Sequence, residues 1–170
     1  SATGDHGVVS GDLVGCTASN GHFADAEAGS GKSVSADVSL DGTAKDDYRL
    51  TSATAWTSAD VDKASSTTTV SCSAGPFVYN GNAQTPCSAS VTGAGGLSQA
   101  LTVNYSGNLH AGTATASASY AGDANHEGSN DSQSFTIAKR DVTASISAAD
   151  KTYDGSDAAD ITGCSLESAT

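Results

Sequence analysis

The feature that most constrains this chain is a repeated alternation of apolar and polar residues in short runs. From 33 to 40, Val, Ala and Leu occupy the even positions and Ser or Asp the odd ones. The same period of two recurs at 101–105, 113–120, 135–137 and 142–146, and turn pairs such as Asn-Gly and Asp-Gly separate the runs. A period of two is typical of half-buried strands. No run keeps a helical period over a dozen residues, so the sequence predicts an all-β fold.

Composition limits the size of any core. The chain has 170 residues, of which 37% are hydrophobic and 5% aromatic, which favours two thin β-sandwiches over one large core. Disorder is the alternative for so polar a chain, and the regular alternation argues against it. Composition breaks predict three segments: a central sandwich at 66–139, preceded by 1–63 and followed by 140–170.

The net charge limits the classes of partner that the chain can be expected to bind. Seven Lys and Arg oppose nineteen Asp and Glu, for a net charge of -12. This balance argues against nucleic acid and anionic membrane surfaces as partners, since both select clustered basic residues. No apolar run approaches the roughly 20 residues of a membrane span, so we expect no membrane insertion. The lack of Met and of a signal segment predicts a mature or excised piece.

Motifs for chemistry are sparse, and the sequence predicts no enzyme. The histidines stand apart from one another, no G-x-S-x-G occurs, and GAGG at 93–96 favours a turn over a phosphate loop. Calcium is the one ligand retained, because Asp123, Asn125 and Glu127 alternate oxygen donors. The alternative is local hydrogen bonding within a turn. Zinc is disfavoured because no C-x-x-C pair exists, and no other cofactor is expected.

Aromatic residues offer a second possible ligand class. An exposed row of aromatic rings could bind surface glycans, whereas packing in the core or at sandwich corners is the alternative use. The candidates are Tyr79, Tyr105, Tyr120 and Trp56.

Three motifs lie in order within residues 77–137. They are YNGNAQ at 79–84, AGT at 111–113 and AGDANH at 121–126. This set resembles the MBG-type bacterial Ig-like repeat. The resemblance implies that residues 66–139 form one Ig-like β-sandwich.

A second set of motifs is divided between the two ends of the chain. KTYDG at 151–155 resembles the opening of the YDG repeat of bacterial surface proteins. FADAEAGSGKSV at 23–34 resembles its middle, and LDGTAKDDYRL at 40–50 resembles its close, with Asp47 where that family usually has Asn. The first third of the repeat therefore stands after its other two thirds.

Placing one copy of the chain before another restores the order of these motifs. The triplet Ser-Ala-Thr occurs at 1–3 and at 168–170, so two copies can share it at a join. The resemblance then implies two Ig-like β-sandwich domains in a head-to-tail rod. In that rod, 140–170 completes the sandwich formed by 1–63 of the neighbouring copy, through a peptide bond or by strand donation between separate subunits. The strand-donating segment is marked by Val142, Ile146, Tyr153 and Ile161.

The four cysteines fit an extracellular chain with disulfides. Cys72 and Cys87 lie in the central sandwich and are predicted to bond within it. In the head-to-tail arrangement Cys164 comes shortly before Cys16 of the next copy, and these two are predicted to bond between adjacent copies. Free thiols, or a fold-back that joins Cys16 to Cys164 within one chain, are the alternatives.

These observations predict a structural repeat of an extracellular filament, stalk or surface-layer-like fibre. Its expected partners are copies of itself, with surface glycans as additional candidates, and its expected location is extracellular or at the cell surface. The alternative is an adhesion or carbohydrate-binding module on a cell-surface stalk.

Overall fold

A computed structural model describes residues 7–168 and confirms that the fold is all-β. Short 3-10 segments occur at Lys45–Asp47 and Ala94–Gly96. The Ser-Ala-Thr repeats lie outside the described residues, except for Ser168. The strands are β1 (Gly15–Phe23), β2 (Gly29–Asp41), β3 (Thr54–Val61), β4 (Ser66–Cys72), β5 (Phe77–Val78), β6 (Cys87–Gly93), β7 (Ser98–Leu101), β8 (Asn104–Ser106), β9 (Gly112–Tyr120), β10 (Ser129–Ala138), β11 (Val142–Ala148) and β12 (Ile161–Ser168).

The chain divides into two compact units. The first unit contains residues 7–66 together with the loops Gly93–Gly96 and Ala121–Gly128. The second contains Thr67–Thr92, Leu97–Tyr120 and residues 129–168. Two loops of the predicted segment 66–139 therefore group with the first unit.

The first unit is built on an antiparallel sheet in the order β1-β2-β3. Ala18 lies opposite Val38, and Ala36 lies opposite Ala55, so each of the three strands contributes apolar residues to one face. Bulges interrupt the register between Ser19 and His22 and near Gly29. Such bulges bend a strand and increase its local twist.

The loops of the first unit are held by backbone hydrogen bonds around Ala64. The Ala64 amide donates to the Asn125 carbonyl at 2.9 Å, and the Glu127 amide donates to the Ala64 carbonyl at 2.8 Å. Lys63 adds a bond from its Nζ to the Asp123 carbonyl at 2.6 Å. The segment after β3 therefore pairs locally with the loop 121–128.

The second unit contains two sheets that share a core. Their orders are β4-β6-β7 and β5-β10-β9-β8, with β5 parallel to β10 and the β8-β9 and β9-β10 pairs antiparallel. The core consists of Val70, Ala89, Ala114, Ala116, Ala118, Phe135 and Ile137. Because these residues come from both sheets, the sheets pack face to face. Small alanines on β9 fill a thin core, as the composition predicts.

The remaining strands of the second unit, β11 and β12, form a two-stranded antiparallel sheet. The pairing runs from Val142 opposite Ser168 to Ala148 opposite Ile161, with one irregularity near Ser147. Every residue of β11 is exposed. A two-stranded hairpin is marginally stable alone, so contacts to its exposed faces would stabilise it.

Candidate assembly surfaces

The hairpin β11–β12 has one apolar and one polar face. Directly opposed residues in an antiparallel pair share a face, which fixes both sets. We call the apolar set the hairpin face; it consists of Val142, Ala144, Ile146, Cys164 and Leu166. Ser145 and Ser165 are opposed on the other face, with Thr143 and Glu167. Val142 is 55% exposed, and Ile146 and Leu166 are each 67% exposed, so the hairpin face is open to solvent.

The sheet β1-β2-β3 is divided in the same way. We call its apolar side the sheet face; the register also places Lys32 and Thr57 on it, and its apolar members are Cys16, Ala18, Phe23, Val34, Ala36, Val38, Leu40, Ala55 and Ala59. The four members on β2 are half-buried, and those on β1 are exposed. The other side of the sheet carries Thr17, Asp37 and Ser39. Trp56 and Ser35 are cross-strand partners on that same side. An apolar sheet face with no buried member lacks the covering layer that such faces normally have.

Four residues were predicted to mark a strand-donating segment, and the structure places them on or beside the hairpin. Val142 and Ile146 lie on its apolar face, and Ile161 begins β12. Tyr153 lies in the connecting loop and is 92% exposed. Lys151 organises that loop, because its Nζ donates to the carbonyls of Ser156 and Ala158 at 2.9 Å.

Asp154 is part of the same loop structure. Its carboxylate lies 3.0 Å from the Lys151 ammonium and accepts the Ser156 amide. The hydrogen bond from Lys151 is the main cause that lowers the pKa of Asp154. The KTYDG motif thus forms a charge-stabilised turn between β11 and β12.

Cys72 and Cys87 form a disulfide with an Sγ–Sγ distance of 2.05 Å. The bond joins the end of β4 to the start of β6 and closes a loop of 15 residues. Tyr105 supports the same point, since its hydroxyl accepts the Cys87 amide and donates to the Cys87 carbonyl, each at 2.9 Å. Cys16 and Cys164 carry free, exposed thiols, one on each apolar face.

The candidate calcium residues form a hydrogen-bonded turn. Asp123 Oδ1 accepts the amides of Asn125 and His126, at 2.8 and 2.7 Å. Asn125 Oδ1 accepts the Ala28 amide at 2.8 Å, and its Nδ2 donates to the Glu27 carboxylate. Within residues 7–168, no three His, Cys, Asp or Glu side chains cluster as metal ligands. The side-chain oxygens of Asp123 and Asn125 thus have protein donors, and Glu127 joins the turn through its backbone amide, which donates to the Ala64 carbonyl.

His126 is a buried residue that sequence reasoning missed. Its Nδ1 lies 2.9 Å from Asp123 Oδ1, and its Nε2 lies 2.9 Å from the Ala94 carbonyl. The bond to Ala94, followed by the bond to Asp123, raises the pKa of His126. The D-x-x-H spacing within a turn was the available signal. This histidine holds the loops 93–96 and 121–128 of the first unit together.

The candidate aromatic residues serve different purposes. Tyr105 packs edge-on against Phe135 at 6.3 Å, and Tyr79 stacks on His110 at 6.2 Å. Trp56 is 71% exposed on the polar side of β3. Tyr120 ends β9 opposite Ser129. Tyr105 and Tyr79 therefore pack against other rings, whereas Trp56 is an exposed indole.

No helix among residues 7–168 has the length and apolar character needed to cross a membrane. Comparison with known proteins found no matching family model, no matching curated protein and no matching solved structure.

Proposed function

We propose that this chain is a structural repeat of an extracellular filament, stalk or surface-layer-like fibre, in which the hairpin face of one copy covers the sheet face of the next. The observation that carries this proposal is a pair of apolar faces, an exposed one on a two-stranded sheet and a partly exposed one on a three-stranded sheet. Within residues 7–168 neither face has a buried member, and in the proposed contact each face serves as the covering layer of the other. The proposed role of the chain is mechanical and requires no catalytic site.

The second unit provides a template for this contact. Residues 70–81, VSCSAGPFVYNG, align without a gap with 144–155, ASISAADKTYDG. The two segments hold the same positions in their strand pairs, since 70–81 runs from β4 toward β6 and 144–155 runs from β11 toward β12. In the first pair, Val70 is buried against the alanines of β9. By analogy with Val70, we expect the hairpin face to pack against a second sheet.

The energetic balance indicates what such a contact needs. Fully burying a Val, Leu or Ile side chain contributes about 1.5–3 kcal/mol. Since the three large members of the hairpin face are more than half exposed, covering them contributes about 3–5 kcal/mol. Bringing two separate bodies together costs at least about 4 kcal/mol. The hairpin's contribution reaches only the lower end of that cost, so a covalent connection that raises the effective concentration of the two faces favours assembly.

The contact uses two different surfaces and therefore propagates. A heterologous contact that does not close into a ring generates a filament. Both a tandem polypeptide and a chain of separate subunits fit this geometry. The resemblance to the MBG and YDG repeats of bacterial surface proteins supports the same arrangement. The Cys72–Cys87 disulfide supports an extracellular location, because such bonds persist in oxidising compartments.

Negative-stain microscopy and sedimentation of the 170-residue chain test the proposal, together with a fusion of two copies that share one Ser-Ala-Thr triplet. We expect filaments with a regular axial repeat, which I146D/L166D should abolish by placing charge on the hairpin face. S147D/S165D is the matched control, since it adds the same charge to the opposite face of the same strands, and neither new carboxylate lies directly opposite a charged residue. Monomers at every concentration, for both the chain and the fusion, would contradict the proposal. The mass of native material under denaturing, reducing conditions separates tandem from subunit assembly.

A carbohydrate-binding role is the second candidate, and the exposure of Trp56 favours it. An indole on a polar surface offers a stacking platform for a sugar ring. Because Trp56 is the sole tryptophan, its fluorescence during titration with oligosaccharides tests this role directly. An unchanged spectrum across a glycan panel would remove this candidate and leave the structural one.

A further inference from the structure

We infer that Cys164 of one copy forms a disulfide with Cys16 of the copy whose sheet face it covers, so that the non-covalent contact becomes a covalent lock. This inference rests on the proposed function. The sequence suggested the pairing from the order of the motifs alone. The structure adds an independent reason, which is the face of the sheet on which each thiol lies.

The strand registers place both thiols on the surfaces that would meet. Cys164 lies opposite Ile146 on the hairpin face, and Cys16 lies opposite Leu40 on the sheet face. A shift of one residue would turn either thiol to the polar side, where Ser165 and Thr17 lie.

Both thiols also lie on edge strands. β1 is the outer strand of the order β1-β2-β3, and β12 is one of only two strands in its sheet. Packed sheets lie about 10 Å apart, whereas a disulfide needs Cα atoms about 4.4–6.8 Å apart. Sheets approach most closely where small side chains face each other, and Ala18 and Ala144 lie near the two cysteines on the same faces. An edge position next to small side chains therefore lets the two sheets approach closely enough for a disulfide between them.

The internal alignment explains why Cys164 needs a partner from elsewhere. In the aligned segments, Ile146 stands where the other strand pair has Cys72. Cys72 bonds across its strand pair to Cys87, whereas the residue across from Cys164 is Ile146, which has no thiol. Since two of the four cysteines are bonded to each other, a neighbouring copy offers Cys16 and Cys164 as free thiols, and of these Cys16 is the one that lies on the sheet face.

The chemistry is thiol–disulfide exchange with a small-molecule disulfide as oxidant. The thiolate of one cysteine attacks the oxidant, forms a mixed disulfide and releases one small thiol. The second cysteine, as thiolate, then attacks the protein sulfur of the mixed disulfide and releases the second small thiol. The two cysteines lose two protons and two electrons in total, and the oxidant is reduced to two thiols.

The test incubates the chain with oxidised glutathione and reads the products by non-reducing electrophoresis and peptide mass analysis. We expect a ladder of oligomers and a linked peptide pair that contains Cys16 and Cys164. Mixing C16S with C164S removes ambiguity, because each chain then keeps one of the two thiols. That mixture should give cross-linked dimers and no higher oligomers, while either variant alone should give neither.

Face-swapped variants are the matched controls. C164S/S165C and C16S/T17C move each thiol by one residue to the polar side of its own strand. We expect both to lose the ladder, even though the thiol remains exposed on the same strand. A ladder of equal yield from these variants would mean unspecific oxidation and would overturn the inference.

The remaining outcomes separate this inference from the proposed function. Filaments that form without any disulfide-linked Cys16–Cys164 peptide would overturn the inferred disulfide and leave the proposed structural role intact. A Cys16–Cys164 bond within single chains overturns the contact between copies. Absence of assembly in both the reduced chain and the two-copy fusion overturns the proposed function, and the lock with it.

Discussion

Nδ1 of His126 lies 2.9 Å from Oδ1 of Asp123, three residues earlier in the same loop. The other ring nitrogen faces the Ala94 carbonyl at 2.9 Å. Two oxygen acceptors at the two nitrogens favour the doubly protonated imidazolium, and the pKa of His126 is accordingly raised from its usual value of 6.5. The loop 121–128 is thus held by a charge that depends on pH.

The first prediction follows from the direction of this shift. A raised pKa in the folded state means that the stabilisation is fully present below the unfolded value of about 6.5 and is lost as pH rises through the folded pKa. Wild type should therefore exceed H126Q in thermal midpoint by more at about pH 5.5 than at about pH 8.5. H110Q is the control, because it removes an imidazole that stacks on Tyr79 outside the loop 121–128. Equal differences in thermal midpoint at both pH values would exclude stabilisation by a charged His126.

The second prediction concerns the disulfide of the second unit. Replacing both cysteines in C72S/C87S opens a loop of 15 residues and should lower the free energy of unfolding by about 3 kcal/mol. Tyr105 should still hold the Cys87 backbone, so we expect a folded but less stable unit. Denaturant titration at low protein concentration measures the loss. C16S/C164S should leave the midpoint unchanged there, since both thiols are exposed and unbonded.

Local alternation was sufficient to predict several strands. The run from 34 to 40 lies in β2, 113–120 lies in β9, and 142–146 lies in β11. These strands pair with near neighbours in the chain, so the pattern that predicts them also describes their surroundings. The same pattern predicts which face of each strand is apolar, and it is this face that carries Cys16 and Cys164.

Where tertiary packing decides, the sequence was less informative. The run 101–105 reads as one strand, but β7 ends at Leu101 and β8 begins at Asn104 because the chain crosses from one sheet to the other. The pairing of β5 with β10 joins residues far apart in sequence, which no local period encodes. His126 was missed for the same reason, since its Ala94 partner is distant in the chain.

A matched pair of isoleucines distinguishes the core from the assembly surface. Ile137 is 1% exposed in the core of the second unit, whereas Ile146 lies on the open hairpin face. I137A should lower the free energy of unfolding by about 2–5 kcal/mol, because it leaves a cavity. I146A should change it little at low concentration but should weaken filament formation. Chemical denaturation and sedimentation together measure both effects. Equal loss of folding stability in the two variants would mean that the hairpin face is already covered within the chain.

A matched pair of glycines tests the turn that positions His126. Gly122 and Gly81 both have a positive φ, +88° and +82°, so alanine at either position is strained by about 1 kcal/mol. A Cβ at Gly122 would also lie 2.7 Å from the His126 carbonyl oxygen, whereas a Cβ at Gly81 would meet nothing within 4 Å. G122A should therefore destabilise its unit clearly more than G81A destabilises its own. It should also lower the pKa of His126 toward 6.5, because the turn that presents Asp123 must shift. Thermal melts compare the two variants, and NMR titration of the imidazole measures the pKa. An unchanged His126 titration in G122A would show that the turn tolerates the added methyl without moving Asp123.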